Sequence, residues 1–183
     1  MAILPIRKLP DPILRQKAHR VRPTELNDSL RKLVDDMIET MHDAYGVGIA
    51  ANQVGVPQQI CVIQLPGEDT ARVLVNPQLV AKEGEREVVE GCLSIPGYRG
   101  TITRSNKVRV RALDIDGKLI RIQAEDDLLT QALEHEIGHL NGDLYIDHLV
   151  SRDAIWPIEE LPEDEESEHK SELESEETTD GSR

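Results

Sequence analysis

At 183 residues the chain is long enough for one substantial hydrophobic core, and its length suggests a single domain. With no Phe, one Trp and three Tyr, that core must come from Val, Ile and Leu, and no apolar run nears the roughly 20 residues that cross a bilayer. The net charge of −14 is uneven: residues 159–183 hold twelve acidic and two basic residues, so the remainder is only mildly acidic and has no basic footprint for nucleic acid.

In chain order, the N-terminus lacks the long apolar stretch of a signal peptide, so a cytoplasmic protein is expected. Leu26, Leu30, Leu33, Val34, Met37, Ile38 and Met41 recur at spacings of three and four, which predicts an amphipathic helix over roughly 25–44. The run Gly46-Val47-Gly48-Ile49-Ala50-Ala51-Asn52-Gln53 is too glycine-rich for an ordinary helix. Strands are expected over 59–65, over 71–76 and toward the end of 79–90, the last bounded by the turn-like Lys82-Glu83-Gly84-Glu85.

Val108 to Leu113 alternates with period two, and Leu119 to Ile122 resumes after Asp116-Gly117, a hairpin signal. Leu128, Leu129, Ala132, Leu133, Ile137 and Leu140 then return to helical spacing, stopped by Asn141-Gly142. Helix, many strands, then helix favours α+β with largely antiparallel sheets packed around the second helix. Past Trp156-Pro157 apolar residues nearly vanish. A catalytic domain over 1–158 and a disordered acidic tail over 159–183 are therefore expected, with an acidic interaction arm as the alternative.

The strongest chemical signal is His135-Glu136-Ile137-Gly138-His139. Positions i and i+4 share one helical face, so both imidazoles can grip one metal ion, while Glu136 can reach a bound water as general base. A chance match on a polar helix is the bland alternative. Histidine is scarce, six in all, and the helix is apolar, which favours the metal. A hydrolytic site needs a third ligand and an open position. Cys92, between Gly91 and Pro96, is one candidate; Cys61, in an apolar strand where an inert thiol is expected, and His148 are rivals. Gly46–Gln53 could let a substrate backbone approach, with Gln53 donating to an oxyanion, though a tight turn explains its glycines equally well.

Taken together, Gly46–Gln53, Glu90-Gly91-Cys92-Leu93-Ser94 and His135–His139 resemble, in order and spacing, the three motifs of peptide deformylases. The resemblance runs from about Leu9 to about Leu149. It implies an α+β fold and hydrolysis of the formyl group from the N-terminal methionine of new polypeptides, with release of formate. It implies Cys92, His135 and His139 as metal ligands, Glu136 as acid/base, and Gln53 and the Leu93 N–H as oxyanion donors. Glu90 would pair with Arg104, while Val47, Gly48 and Gly91 would face substrate. On the metal helix Leu128 and Ala132 share the ligand face, and Leu128 is a candidate pocket residue against an equal case for plain core; Gln131 would border the mouth.

Ferrous iron is the implied metal, with zinc, nickel or cobalt as substitutes. N-formylmethionyl nascent peptides are the expected partners, without nucleic acid or membrane, in a monomer. Transient ribosome contact stays open, because the tail lacks the basic C-terminal helix of some relatives. The family's usual Asp before the second histidine is Gly138 here, and its usual Gln before the first is Glu134. Activity is expected, with rate or metal retention altered. A zinc peptidase and an inactive binding protein on the same scaffold are the competing readings.

Overall fold

The computed structural model describes residues 2–158; the tail expected over 159–183 lies outside the described residues. Helix α1 spans Asp28–Asp43. Its start is set by Asn27, whose side chain accepts the Leu30 N–H, while Pro23–Glu25 forms a separate 3-10 turn rather than the helix's first residues. Strands β1 (Gly48–Ala50), β2 (Ile60–Ile63), β3 (Arg72–Glu83), β4 (Arg86–Cys92), β5 (Ile95–Arg104), β6 (Lys107–Leu113) and β7 (Leu119–Glu125) follow. Helix α2 (Leu128–Leu140) and a short β8 (Ile155–Pro157) complete the order.

Two antiparallel sheets form, a five-stranded one ordered β1-β2-β3-β6-β7 and a three-stranded one ordered β4-β5-β8. The larger sheet is covered on both faces. On β2, Ile60 and Val62 pack with Leu30, Val34, Met37 and Met41 of α1. The alternate residues Cys61 and Ile63 pack with Ala132, Leu133, Ile137 and Leu140 of α2. Each such buried aliphatic side chain contributes about 1.5–3 kcal/mol, so the two helices clamp the sheet through its pleat.

The expected break between 71–76 and 79–90 is not a break. Strand β3 runs through it with a register shift between Val75 and Gln78. At that bulge Asn76 takes φ 51°, its backbone N–H donates to the Gln59 carbonyl at 2.8 Å, and its side-chain amide exchanges hydrogen bonds of 2.8 and 2.9 Å with the Val21 backbone. The second half of 79–90 is β4, which leaves for the other sheet after the Gly84 turn.

Helix α2 begins at its Asp127 cap, which accepts the Thr130 N–H at 2.7 Å. It ends in a left-handed glycine. Gly142 has φ 83°, the Asp143 N–H reaches the Gly138 carbonyl, and the Gly142 N–H reaches the His139 carbonyl. A Cβ on Gly142 would stand 2.6 Å from the Arg15 carbonyl oxygen, so the stop is also a packing contact.

Candidate metal centre

Three segments far apart in sequence converge beside α2. Cys92 stands at the end of β4, where the pairing with β5 slips between Gly91 and Cys92 and the chain reverses, bringing Cys92 opposite Ile95. The Ser94 N–H lies 3.4 Å from the Cys92 sulfur. That sulfur is 3.2 Å from His139 Nε2, which is itself 3.2 Å from His135 Nε2. The three donor atoms all lie within 4.8 Å of one another. Two imidazole nitrogens turned toward each other beside a thiol fit a divalent metal, whose charge lets three lone pairs converge. Cys61 and His148 do not join the cluster. Cys61 is fully buried in the core beneath α2, where burial pushes its thiol up, and His148 is exposed in the turn Tyr145–His148.

Glu90 orients the first histidine. Its Oε2 is 2.6 Å from His135 Nδ1, and both its oxygens accept from Arg104 at 2.8 Å. Burial is the largest influence on Glu90 and would raise it, but Arg104 and His135 together outweigh it and hold the carboxyl down at about 2. A carboxylate fixed there favours the proton on Nδ1, the tautomer in which Nε2 can offer its lone pair to a metal. Burial would lower His135, but Cys92 and Glu90 outweigh it and raise it well above the usual imidazole range, so a metal would take the place of the Nε2 proton. Burial lowers His139 well below the usual imidazole range, which favours its neutral, ligating form.

Glu136 projects from the next position on α2 and is 4% exposed. Burial pushes it up to about 7, against the opposing pull of His135. Its Oε2 has no hydrogen-bond partner among the described residues, and its Oε1 lies over Gly48 of β1. Gln53, in the 3-10 turn Ala51–Val54, is aimed by its own carbonyl, which accepts the Ala50 N–H at 2.8 Å. Its amide nitrogen then sits 3.1 Å from Ser94 Oγ and 3.6 Å from the Cys92 sulfur. The glycine-rich run that sequence left between turn and substrate contact is thus an edge strand followed by a turn that delivers Gln53.

A cleft of about 730 Å³ opens over these groups, lined among others by Val47, Gly48, Gly91, Leu93, Leu128 and Gln131. Leu128 is 41% exposed at its rim, and Gln131 donates to the Val89 carbonyl at 3.0 Å, tying α2 to β4. Sequence reasoning missed three supporting residues. Ser94, fully buried, holds the Gln53 amide; its place in the quoted Glu90–Ser94 motif was the available signal. Tyr145 stacks on His135 with ring centroids 6.4 Å apart, and Ser105 holds Glu134; neither carries a local signal.

The polypeptide deformylase family model matches residues 3–154. The chain is 50% identical over 167 residues to a peptide deformylase of Dehalococcoides mccartyi strain CBDB1, covering 90% of this chain and 98% of the relative. The chain belongs to the polypeptide deformylase family. A crystal structure of a peptide deformylase from Legionella pneumophila superposes with a TM-score of 0.77 at 38% identity, covering 100% of this chain and 99% of that one. A class I type b peptide deformylase from Acinetobacter baumannii, solved with Met-Ala-Ser bound, gives a TM-score of 0.77 at 32% identity, covering 81% and 99%. This deformylase is accordingly a metal-dependent hydrolase that removes the N-formyl group from new polypeptides, on an α+β fold.

Proposed function

We propose that Cys92, His135 and His139 hold the metal of this deformylase, that Glu136 moves the proton, and that Gln53 and the Leu93 N–H receive the developing oxyanion. The observation that carries the reading is the convergence of one sulfur and two imidazole nitrogens within 4.8 Å, with a buried carboxylate oxygen alongside that has no partner among the described residues. When bound, a divalent ion supplies Lewis acidity toward water and the formyl oxygen. Ferrous iron is the metal proposed, with zinc, nickel or cobalt as substitutes; the thiolate and two imidazoles are compatible with each.

The chain's own residues account for the remaining work. Glu136, buried and raised to about 7, accepts a proton from the attacking water and later returns it to the leaving amine. The Gln53 amide, locked by Ala50 and Ser94, donates to the oxygen on which charge develops, and a donor held in advance needs no reorganisation. Glu90 and Arg104 keep His135 in one tautomer. Val47, Gly48, Gly91 and Leu128 line the cleft in which an N-formylmethionyl peptide lies extended. Met-Ala-Ser, bound to the Acinetobacter baumannii relative, is a peptide of the kind proposed for this cleft.

We place the catalytic domain at 1–158. Among the described residues no helix is long and apolar enough to cross a membrane, and a cytoplasmic monomer meeting nascent chains at the ribosome is the setting proposed. The test is formate release from formyl-Met-Ala-Ser by anaerobically purified protein, with metal measured on the same sample. Turnover abolished by chelation supports the reading. Turnover that survives complete metal removal overturns it.

A further inference from the structure

Two consecutive residues of α2, Glu134 and His135, are each held by one of two consecutive residues at the end of β5. Arg104 grips Glu90, which fixes His135 Nδ1. The next residue, Ser105, gives both its N–H, at 2.8 Å, and its hydroxyl, at 3.2 Å, to the Glu134 carboxylate. Lys82 of β3 completes the second grip, with Nζ 2.6 Å from Glu134 Oε1. The Glu134 side chain is 2% exposed and that of Lys82 is 56% exposed. An amide at 134 could accept from Ser105 without any cation. A carboxylate there is a buried charge, and Lys82 is the cation that neutralises it.

We propose that Lys82 and Glu134 form a positioning clamp for the metal-ligand helix, setting the height of His135 against the β5–β6 corner and thereby the retention of the metal. The inference rests on His135 being a ligand. The physical reason is geometric. The Glu90 grip fixes the rotation of the imidazole, whereas the Glu134 grip fixes the backbone that carries it, one residue earlier on the same turn. Removing the lysine leaves an uncompensated carboxylate on Ser105, and α2 relieves it by moving Glu134 toward water, carrying His135 with it. Removing the charge at the same time abolishes the need to move. The pair therefore has a directional dependence: the exposed partner is needed only because the buried one is charged.

The experiment measures chelator-driven metal loss and thermal unfolding on the metal-loaded holoenzyme. Lys82→Met is expected to release metal roughly tenfold faster, the lower end of what loss of an outer support of a metal ligand costs. Glu134→Gln alone, and the double variant Lys82→Met with Glu134→Gln, are expected to stay within about twofold of wild type. Leu30→Ala, which lowers stability from α1 on the opposite face of the sheet, serves as control and should leave the release rate unchanged. Release from Lys82→Met at the wild-type rate, or failure of Glu134→Gln to restore it, overturns the clamp. If Lys82→Met does not yield folded protein, Lys82→Gln carries the same comparison. His135→Ala run alongside separates the two levels. Full metal retention there overturns the ligand assignment itself, whereas loss there with retention in Lys82→Met overturns only the clamp.

Discussion

Gly48 of β1 lies under the carboxylate of Glu136: a Cβ at position 48 would stand 2.6 Å from Oε1 and 2.9 Å from Cγ. Both are shorter than real Cβ contacts, and Glu136 is confined by burial on its other sides. Gly48→Ala should therefore push Glu136 off its line to the reacting water while leaving the three ligand atoms in place. A displacement near 1 Å costs about a hundredfold, so kcat should fall between roughly tenfold and a hundredfold with metal content unchanged. Near-native kcat in a metal-replete Gly48→Ala protein would show that the carboxylate is not held where the mechanism needs it.

Glu136→Ala and Cys92→Ser separate proton transfer from metal binding. The first removes the acid/base and should cost about 10²–10⁴-fold in kcat with full metal occupancy. The second replaces a soft thiolate by a hard hydroxyl and should lower metal affinity or change metal preference. Metal analysis with formate-release kinetics on both proteins is the check; a Cys92→Ser variant with native metal and rate removes the sulfur from the ligand set.

Gly138 lies within α2 next to His139, and its φ is not left-handed. A Cβ there would meet only the Asp143 Cβ at 3.6 Å, an ordinary contact. Gly138→Ala should thus stabilise the protein by about 0.5–1 kcal/mol through the entropy of the unfolded chain. That corresponds to a rise of roughly 1–4 °C in Tm for a chain of this length. A lowered Tm would mean that the helix needs the glycine.

Asp147 ties the turn after α2 to the N-terminal segment. It accepts the Leu144 N–H at 2.9 Å and pairs with Arg15 through both terminal guanidinium nitrogens. Burial alone would raise Asp147, but the hydrogen bond from Arg15 and that from Leu144 outweigh it and lower the carboxyl. A lowered folded-state value means stability that is present above the ordinary carboxylate range and lost as pH falls through that value. Since the pair is partly exposed, Asp147→Asn should lower Tm at pH 7 by about 1–3 °C. As pH falls through that lowered value the difference from wild type should close, once the native carboxyl is also neutral. A gap that persists or widens in acid would contradict the assignment.

Metal removal should loosen the fold as well as stop turnover, because the proposed ligands join the end of β4 to α2 across 43 residues from Cys92 to His135. A ligand that binds only the folded state stabilises it by mass action. Calorimetry of apo and reloaded protein should show a Tm several degrees lower without metal, restored on reloading; identical transitions would mean the cluster holds no structural ion.

The elements legible in the sequence were those whose signal is local. The i, i+4 histidines, the periodic leucines of α2, the Asn141-Gly142 stop and the Asp116-Gly117 hairpin each need only neighbouring residues to be read. Strand β5 was not read, because Ile95–Arg104 is rich in Gly, Arg and Thr and its pairing with β4 and β8 is what makes it a strand. The same holds for β3, where Asn76-Pro77 looks like a break until the Asn76 side chain is held by the Val21 backbone from 55 residues away.

By itself, then, the sequence determined the donor types, their spacing on α2 and the family, since one helical turn and three short motifs suffice for these. Only the tertiary structure decided that Cys92 rather than Cys61 or His148 faces the two histidines, that Gly48 makes room for Glu136, and that Lys82 neutralises Glu134. Those relations join residues from 43 to 88 positions apart. They depend on which faces of the sheet α1 and α2 cover, and that is settled when the whole core closes rather than within any one segment.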